Sequence, residues 1–350
     1  MFQRKFYAVI LAGGNGERFW PLSTPKRPKQ FLKIFGGMSL LRQAAIRLHG
    51  LADPEHVIVI TSSQLVAATR GELPELPREN IIAEPCRRDT AAAVAVACGR
   101  VRRLGGEDAV GVILTADQLM DRPATFRRIL KDAVRAAAGG DIVTLGVQPD
   151  SPATGFGYIE PGTLAQTGTK TPIYHVRSFT EKPDCATAAD YVARGFVWNA
   201  GMFVWKASTL RAAFAAHAPQ LLPLVDAVSA AKRPAAVLRK LYPGLARISF
   251  DYAVMEKAHN VLVARGDFGW DDVGSWTAMG RHFEADEQLN IIHGSATMVD
   301  VRRSVIVAQG THVALMGLDD IVVVSTRDNV LVAAKNRVQD LKKLVAKLGK

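Results

Sequence analysis

Residues 11–22 read Leu11-Ala12-Gly13-Gly14-Asn15-Gly16-Glu17-Arg18-Phe19-Trp20-Pro21-Leu22, and the run continues to Pro28-Lys29-Gln30-Phe31. Glycines directly after an apolar strand let backbone N–H groups close on a polyphosphate that bulkier side chains would hold away. On the glycines alone a structural turn is as good a reading. The stretch has neither the Gly-Lys-Ser/Thr end of a Walker loop nor the dinucleotide fingerprint. Arg18 and Lys29 change the balance, because two cations spaced along one loop can hold opposite ends of a triphosphate, the arginine bidentately.

A loop of this kind has to be presented by a rigid strand. Short Val- and Ile-rich runs, Tyr7 to Leu11, Val57 to Ile60, Val110 to Leu114 and Ile142 to Val147, alternate with segments of helical spacing such as Ser39 to Leu48 and Thr125 to Ala138. Strands apolar on both faces that alternate with helices predict an α/β fold, a Rossmann-like and mostly parallel sheet covered on both sides. From Gly155 to Val204 the texture turns to strands and turns, followed by Ala-rich helical stretches at Thr209 to Ala216 and Ala235 to Leu241. This reads as an insertion completing a ligand cleft. Short β runs at Ser304 to Ala308, Val313 to Met316, Ile321 to Val324 and Val330 to Ala333 predict a small C-terminal β unit, open to being a few β-helical rungs. The expected division is 1–289 for the α/β domain and 290–350 for the β unit with its terminal helix. In that helix Val338, Leu341, Leu344, Val345 and Leu348 share one face, to pack on the β unit or on a second subunit in a homodimer.

The 350 residues, 48% hydrophobic and 22% charged, exclude a disordered or collagen-like chain and suffice for a large core. A net charge of +11 favours anionic ligands without choosing among phosphates, nucleotides and nucleic acid. Three cysteines, Cys86, Cys98 and Cys185, lack disulfide-framework or zinc spacing, so a reduced cytoplasmic location is expected. The apolar run from Phe6 to Ala12 is short for a signal sequence, and no stretch approaches a membrane span. The pairs Arg87-Arg88, Arg102-Arg103, Arg127-Arg128 and Arg302-Arg303 are scattered without aromatic interleaving, so no nucleic-acid partner is expected, although Arg87 and Arg88 can instead face a nucleotide phosphate. None of the eight histidines has ligand or triad spacing.

In order along about four-fifths of the chain stand further blocks: Glu84-Pro85 with Thr90-Ala91, Ala116-Asp117, Gly155-Phe156-Gly157-Tyr158-Ile159-Glu160 and Phe179-Thr180-Glu181-Lys182-Pro183. Trp198-Asn199-Ala200-Gly201-Met202-Phe203, Asp251-Tyr252-Ala253-Val254-Met255-Glu256-Lys257 and Trp270-Asp271-Asp272-Val273-Gly274-Ser275-Trp276 follow. With the glycine loop they resemble the sugar-nucleotide pyrophosphorylases, and within them the mannose-1-phosphate guanylyltransferases. The resemblance implies a nucleotide-diphospho-sugar transferase fold that joins GTP and mannose 1-phosphate into GDP-mannose. Leu11, Ala12, Gly13, Gly14, Gly16 and Thr90 would then contact the nucleotide, and Arg18 and Lys29 its triphosphate. Asp117 and Asp272 would hold Mg2+, since two hard carboxylates suit an ion that keeps water and phosphate oxygens. Outside the resemblance, Asp117 reads as a helix cap and Asp272 as a turn residue, and Asp271 is an open alternative to Asp272. Lys182 would hold the sugar phosphate, with Glu181, Asn199 and Gly157 around the sugar. Glu84 would read guanine, whose N1–H and N2 amino group offer a donor pair that adenine lacks. Trp198, Met202 and Phe203 read as core.

Two blocks depart from the family pattern. Thr115-Ala116-Asp117-Gln118 replaces Pro-Ala-Asp-His, and Asp89-Thr90-Ala91-Ala92 replaces Asn-Thr-Ala-Pro, which bears on rate and nucleotide preference more than on reaction type. The chain ends at Lys350, so the cupin-like isomerase domain of some relatives, with its phosphomannose isomerase activity, is not expected. The rival readings are the same reaction with UTP or dTTP and glucose 1-phosphate, and a non-catalytic sugar-nucleotide-binding protein.

Overall fold

The computed structural model describes residues 6–14, 16–165 and 167–348, so Asn15 of the glycine loop lies outside the described residues. The chain forms two compact units that interleave in sequence. The first holds the described residues up to Gly13, then Ala44–Ala116 and Met120–Trp270; the second holds Gly14–Gln43, Asp117–Leu119 and the chain from Asp271 onward.

The first unit is built on a nine-stranded sheet. Its strands are β1 (Phe6–Ala12), β2 (Val57–Ser62), β3 (Ile81–Glu84), β4 (Val110–Thr115), β5 (Ile142–Val147), β6 (Gly157–Leu164), β7 (Ile173–Glu181), β8 (Val197–Lys206) and β9 (Val261–Arg265), in the order β3-β2-β1-β4-β8-β5-β9-β7-β6. β1, β2, β3 and β4 run parallel, as do β5 and β9, whereas β8 is wedged antiparallel between β4 and β5. The segment from Gly155 to Val204, read from sequence as an insertion, thus supplies strands β6, β7 and β8 to the main sheet itself. The reason is compositional: β8 carries Val197, Trp198, Met202, Phe203, Val204 and Trp205, all buried, and such a strand needs sheet on both sides. Helix α1 (Asp89–Gly105) buries an unbroken run from Ala91 to Val101. Because it is apolar nearly all round, the sequence shows no amphipathic stripe there.

The second unit winds β10 (Ile291–His293), β11 (Ala296–Arg302), β12 (Val305–Ala308), β13 (Val313–Asp319) and β14 (Ile321–Ser325) into parallel rungs, with β15 (Val330–Ala334) returning antiparallel on β14. Ile291, Val305 and Val322 stack in register, and their buried neighbours Val307, Val324 and Leu331 form one core with Phe19, Leu22, Leu32, Ile34 and Phe35. The segment carrying Arg18 and Lys29 therefore has its hydrophobic footing in the C-terminal β unit. Trp276 reinforces this, its indole donating to the Trp20 carbonyl at 3.1 Å and its ring packing on Phe19. The terminal helix (Leu341–Leu348) buries only Leu341 of its stripe fully, while Val338 is buried in the turn before it and Leu344 and Leu348 are exposed.

Candidate active site

In the second unit, residues far apart in sequence meet around Lys29. Its ammonium donates to Asp117 Oδ2 at 3.1 Å and to the Asp272 carbonyl at 2.5 Å, and Arg18 donates to the Gly274 carbonyl at 3.0 Å. Lys29 is buried at the head of a short 3-10 turn, Lys29–Phe31, and the backbone of Gly16 lies directly against it. A Cβ at Gly16 would overlap the Cβ of Lys29, and the glycine's φ of 59° is left-handed, so no side chain fits there. Gly274 is similarly close to Asp272, where an added Cβ would come within 2.9 Å of Oδ2.

The carboxylates here are differently wired. Asp117 caps nothing, the next helix beginning at Pro123, and its carboxylate is 42% exposed beside the Lys29 ammonium. Burial raises the pKa of Asp272 above the usual carboxylate value, the charges of Asp271 and Asp117 adding to the rise and Lys29 opposing it. Asp271 accepts from Val273 N, from Arg281 twice and from His282. Burial works to raise its pKa, but these contacts outweigh burial and hold it well below the ordinary range. Asp117 and Asp272 fit a hard divalent cation, because such an ion would relieve the mutual repulsion felt at Asp272. Among the described residues no group of three or more His, Cys, Asp or Glu side chains is placed to hold a metal ion.

In the first unit, Glu84 closes β3 and is half-buried. Tyr242 donates its hydroxyl to Glu84 Oε1, and burial raises the carboxyl's pKa while that hydrogen bond partly offsets the rise. Leu11 and Ala12 end β1, and a Cβ at the next residue, Gly13, would stand 3.1 Å from Glu84 Oε2. Thr90, in the first turn of α1, accepts from Phe250 N, and its own amide is taken by Asp89, so the extra charge of Asp89 is spent at the helix start.

Also in the first unit, a second cluster gathers Glu181, Lys182, Asn199 and Gly157. The Lys182 ammonium bonds Glu181 Oε1; burial works against its charge, yet contact with Glu181 raises its pKa. A Cβ at Gly157 would lie 2.6 Å from Glu181 Oε2. Asn199 accepts from Thr144 and Gly201 through Oδ1 and donates to Asp251 through Nδ2 at 3.0 Å. Glu256 accepts from the Glu181 amide, and Tyr252 donates to the Glu181 carbonyl. Sequence reasoning gave no role to Asp251 or Tyr242. Asp251 stood inside a matching block that could have flagged it, whereas Tyr242, in a Tyr-Pro-Gly turn, carried no local signal. Burial pushes the Asp251 carboxyl up to about 7, and the charge of Glu181 adds to the shift. The arginine pairs are separately engaged: Arg88 with backbone carbonyls, Arg102 with Glu107 and Asp226, Arg128 with Thr171, Arg303 with Asp320.

No helix among the described residues is long and apolar enough to cross a membrane. A family model described as nucleotidyl transferase matches residues 7–289, and one described as a MannoseP isomerase/GMP-like beta-helix domain matches 294–348. A mannose-1-phosphate guanylyltransferase of Escherichia coli (strain K12) is 36% identical, the match covering 99% of this chain and 74% of that protein. A protein of the same name from Klebsiella pneumoniae is 37% identical over 96% of this chain and 72% of its own length. A crystal structure described as a mannose-1-phosphate geranyltransferase from Thermus thermophilus superposes with a TM-score of 0.90 at 34% identity, covering 99% of this chain and all of that one. Enzymes of this family generally use a divalent metal. With the glycine loop, the Lys29 cluster and this match over nearly its whole length, the chain belongs to the nucleotidyl transferase family, among the mannose-1-phosphate guanylyltransferases.

Proposed function

We propose that this nucleotidyl transferase joins GTP and mannose 1-phosphate, giving GDP-mannose and pyrophosphate. An oxygen of the sugar phosphate forms a new bond to the α-phosphorus of GTP while the α–β bridging P–O bond breaks and pyrophosphate leaves with its electron pair. The nucleophile is already an anion, so no strong general base is needed, and positioning with charge neutralisation carries the rate. Arg18, Lys29 and the amides after β1 hold the triphosphate, Lys182 holds the attacking phosphate, and Glu181, Asn199 and Gly157 shape the sugar site. Glu84, with one oxygen taken by Tyr242, accepts from the guanine donor pair. Asp117 and Asp272 are the residues that would hold Mg2+, which when bound offsets charge on the phosphates.

The observation that supports this reading best is the meeting of Lys29 with Asp117 and Asp272, 88 and 243 positions away in sequence. Structural turns and caps have no reason to converge on one buried ammonium. The test is pyrophosphate release across GTP, ATP, UTP and dTTP, each with mannose 1-phosphate and glucose 1-phosphate. Release fastest with GTP and mannose 1-phosphate is expected; fastest release with UTP or dTTP and glucose 1-phosphate would overturn the substrate assignment, and no release in any pair the enzymatic one. The division at 289/290, a cytoplasmic location and a homodimer through the exposed end of the terminal helix belong to the same proposal. Sedimentation of the full chain at several concentrations tests the dimer.

A further inference from the structure

Asp271 and Asp272 are chemically identical neighbours, yet the structure gives them opposite surroundings. Each oxygen of Asp271 accepts two hydrogen bonds: Oδ1 from Val273 N and Arg281 Nη2, both at 2.7 Å, and Oδ2 from Arg281 Nε at 2.6 Å and His282 Nε2 at 2.7 Å. A carboxylate has about four lone-pair positions in all, so none remains for a metal ion. The bond from Val273 does something more. Val273 is fully buried with φ at 46°, a left-handed backbone that a β-branched residue adopts only when its surroundings force it. On either side of Val273 lie the two carbonyls of the site, that of Asp272 on the Lys29 ammonium and that of Gly274 on the Arg18 guanidinium.

We infer that Asp271 is a positioning residue: clamped by Arg281 and His282, it holds Val273 in its strained conformation and so aims the 272 and 274 carbonyls that anchor Lys29 and Arg18. This rests on the proposed role of those two cations in binding the triphosphate. The clamp acts on phosphate binding through backbone, and the metal-holding carboxylate is Asp272. His282 is oriented in turn by Phe35, whose ring meets the imidazole edge-on at 5.7 Å. The short helix Met279–His282 therefore sets the geometry of the loop before it without contributing a catalytic atom.

The experiment is GTP binding by calorimetry, at low and at saturating magnesium, for the wild-type chain and for Asp271→Asn, Asp272→Asn, His282→Ala, His282→Leu and His282→Gln. Asparagine can still accept from Val273 but sets an amide against the donors of Arg281 and His282. Asp271→Asn, His282→Ala and His282→Leu are expected to weaken GTP binding by about 10- to 100-fold, the usual effect of removing a partner that orients a site residue, and saturating magnesium should not restore it. His282→Gln, which keeps a donor near Nε2, should return binding to within about threefold of wild type. Asp272→Asn should instead be sensitive to magnesium. Should the Asp271→Asn defect be offset by raising magnesium, Asp271 is a ligand and the inference is overturned. Equal binding by His282→Leu and His282→Gln overturns it too, since bulk alone would then suffice, and these two variants decide the matter even where Asp271→Asn does not fold. Absence of GTP binding by the wild-type chain overturns the underlying reading and the inference with it, whereas wild-type binding matched by every His282 variant overturns the inference alone.

Discussion

In the second unit Asp117 and Asp271 stand against cations, while in the first unit Glu84 and Asp251 are held by uncharged donors and the neighbouring Glu181 takes the Lys182 ammonium. Around Lys29, Asp117 has an ammonium beside it, and Asp271 has a guanidinium and an imidazole. In the first unit Glu84 meets the Tyr242 hydroxyl and Asp251 meets the Asn199 amide, and both carboxyls are raised by burial. Paired ions can exchange partners when a polyphosphate and its metal arrive, at little change in net charge. Carboxylates held by neutral donors suit ligands that are themselves neutral donors, such as a base edge or sugar hydroxyls. Charge handling and recognition are thus divided between two sets of residues, and the division can be tested one set at a time.

The largest effects should come from the charged set. Asp117→Asn and Asp272→Asn are each expected to lower kcat by about a thousandfold, as removal of a group that stabilises transition-state charge does. The fold should be unaffected, because neither side chain belongs to the hydrophobic cores; wild-type turnover in either variant, followed by pyrophosphate release, would remove that residue from the metal role. Next come the two lysines, whose separation is the sharper test. Lys29→Ala should weaken GTP binding, and Lys182→Ala should raise KM for mannose 1-phosphate, each by about a hundredfold. If both variants raise the same KM, the two sets do not divide the substrates.

A smaller effect is expected at Glu84. Glu84→Gln keeps the size and one acceptor but replaces the other by a donor that opposes guanine's N1–H or amino group. The preference for GTP over ATP should fall by about 10- to 100-fold, the equivalent of one or two hydrogen bonds, in competition assays with both nucleotides. An unchanged ratio would assign base reading elsewhere.

What the sequence disclosed follows the same division. Arg18, Lys29, Asp117 and Asp272 sit in blocks with distinctive local spelling, and β1 and β4 are short apolar runs, so both were legible. Tyr242 was not, because the carboxylate it bonds, Glu84, lies 158 positions away, and nothing within its own turn requires a phenol. Helix α1 was hidden by uniform burial, which erases the 3.6-residue period. The rungs β10 and β11 were hidden for the opposite reason: β11 exposes most of its residues, and its conformation is dictated by the neighbouring rung rather than by its own pattern. The resemblance implied a sugar-binding role for Asn199, whereas its wiring to Thr144 and Asp251 is a property of the folded chain alone.

The smallest expected effect concerns Asp251 and is read in stability. Its folded pKa is raised from 3.8 to about 7, by burial first and then by the charge of Glu181, with Lys182 and Asn199 opposing. A raised carboxyl binds its proton more tightly folded than unfolded. Its stabilising contribution is therefore complete below about pH 3.8 and is lost progressively as pH climbs to about 7. Asp251→Asn removes this titration while keeping an acceptor for the Asn199 amide. Urea midpoints between pH 4 and pH 7.5 should accordingly decline more steeply in the wild-type chain than in Asp251→Asn, all other groups being common to both. Parallel profiles would mean that Asp251 is ionised across the range, as it would be if the Lys182 ammonium served it rather than Glu181, and the contrast between a charged and a neutral set of contacts would then fail at its most buried member.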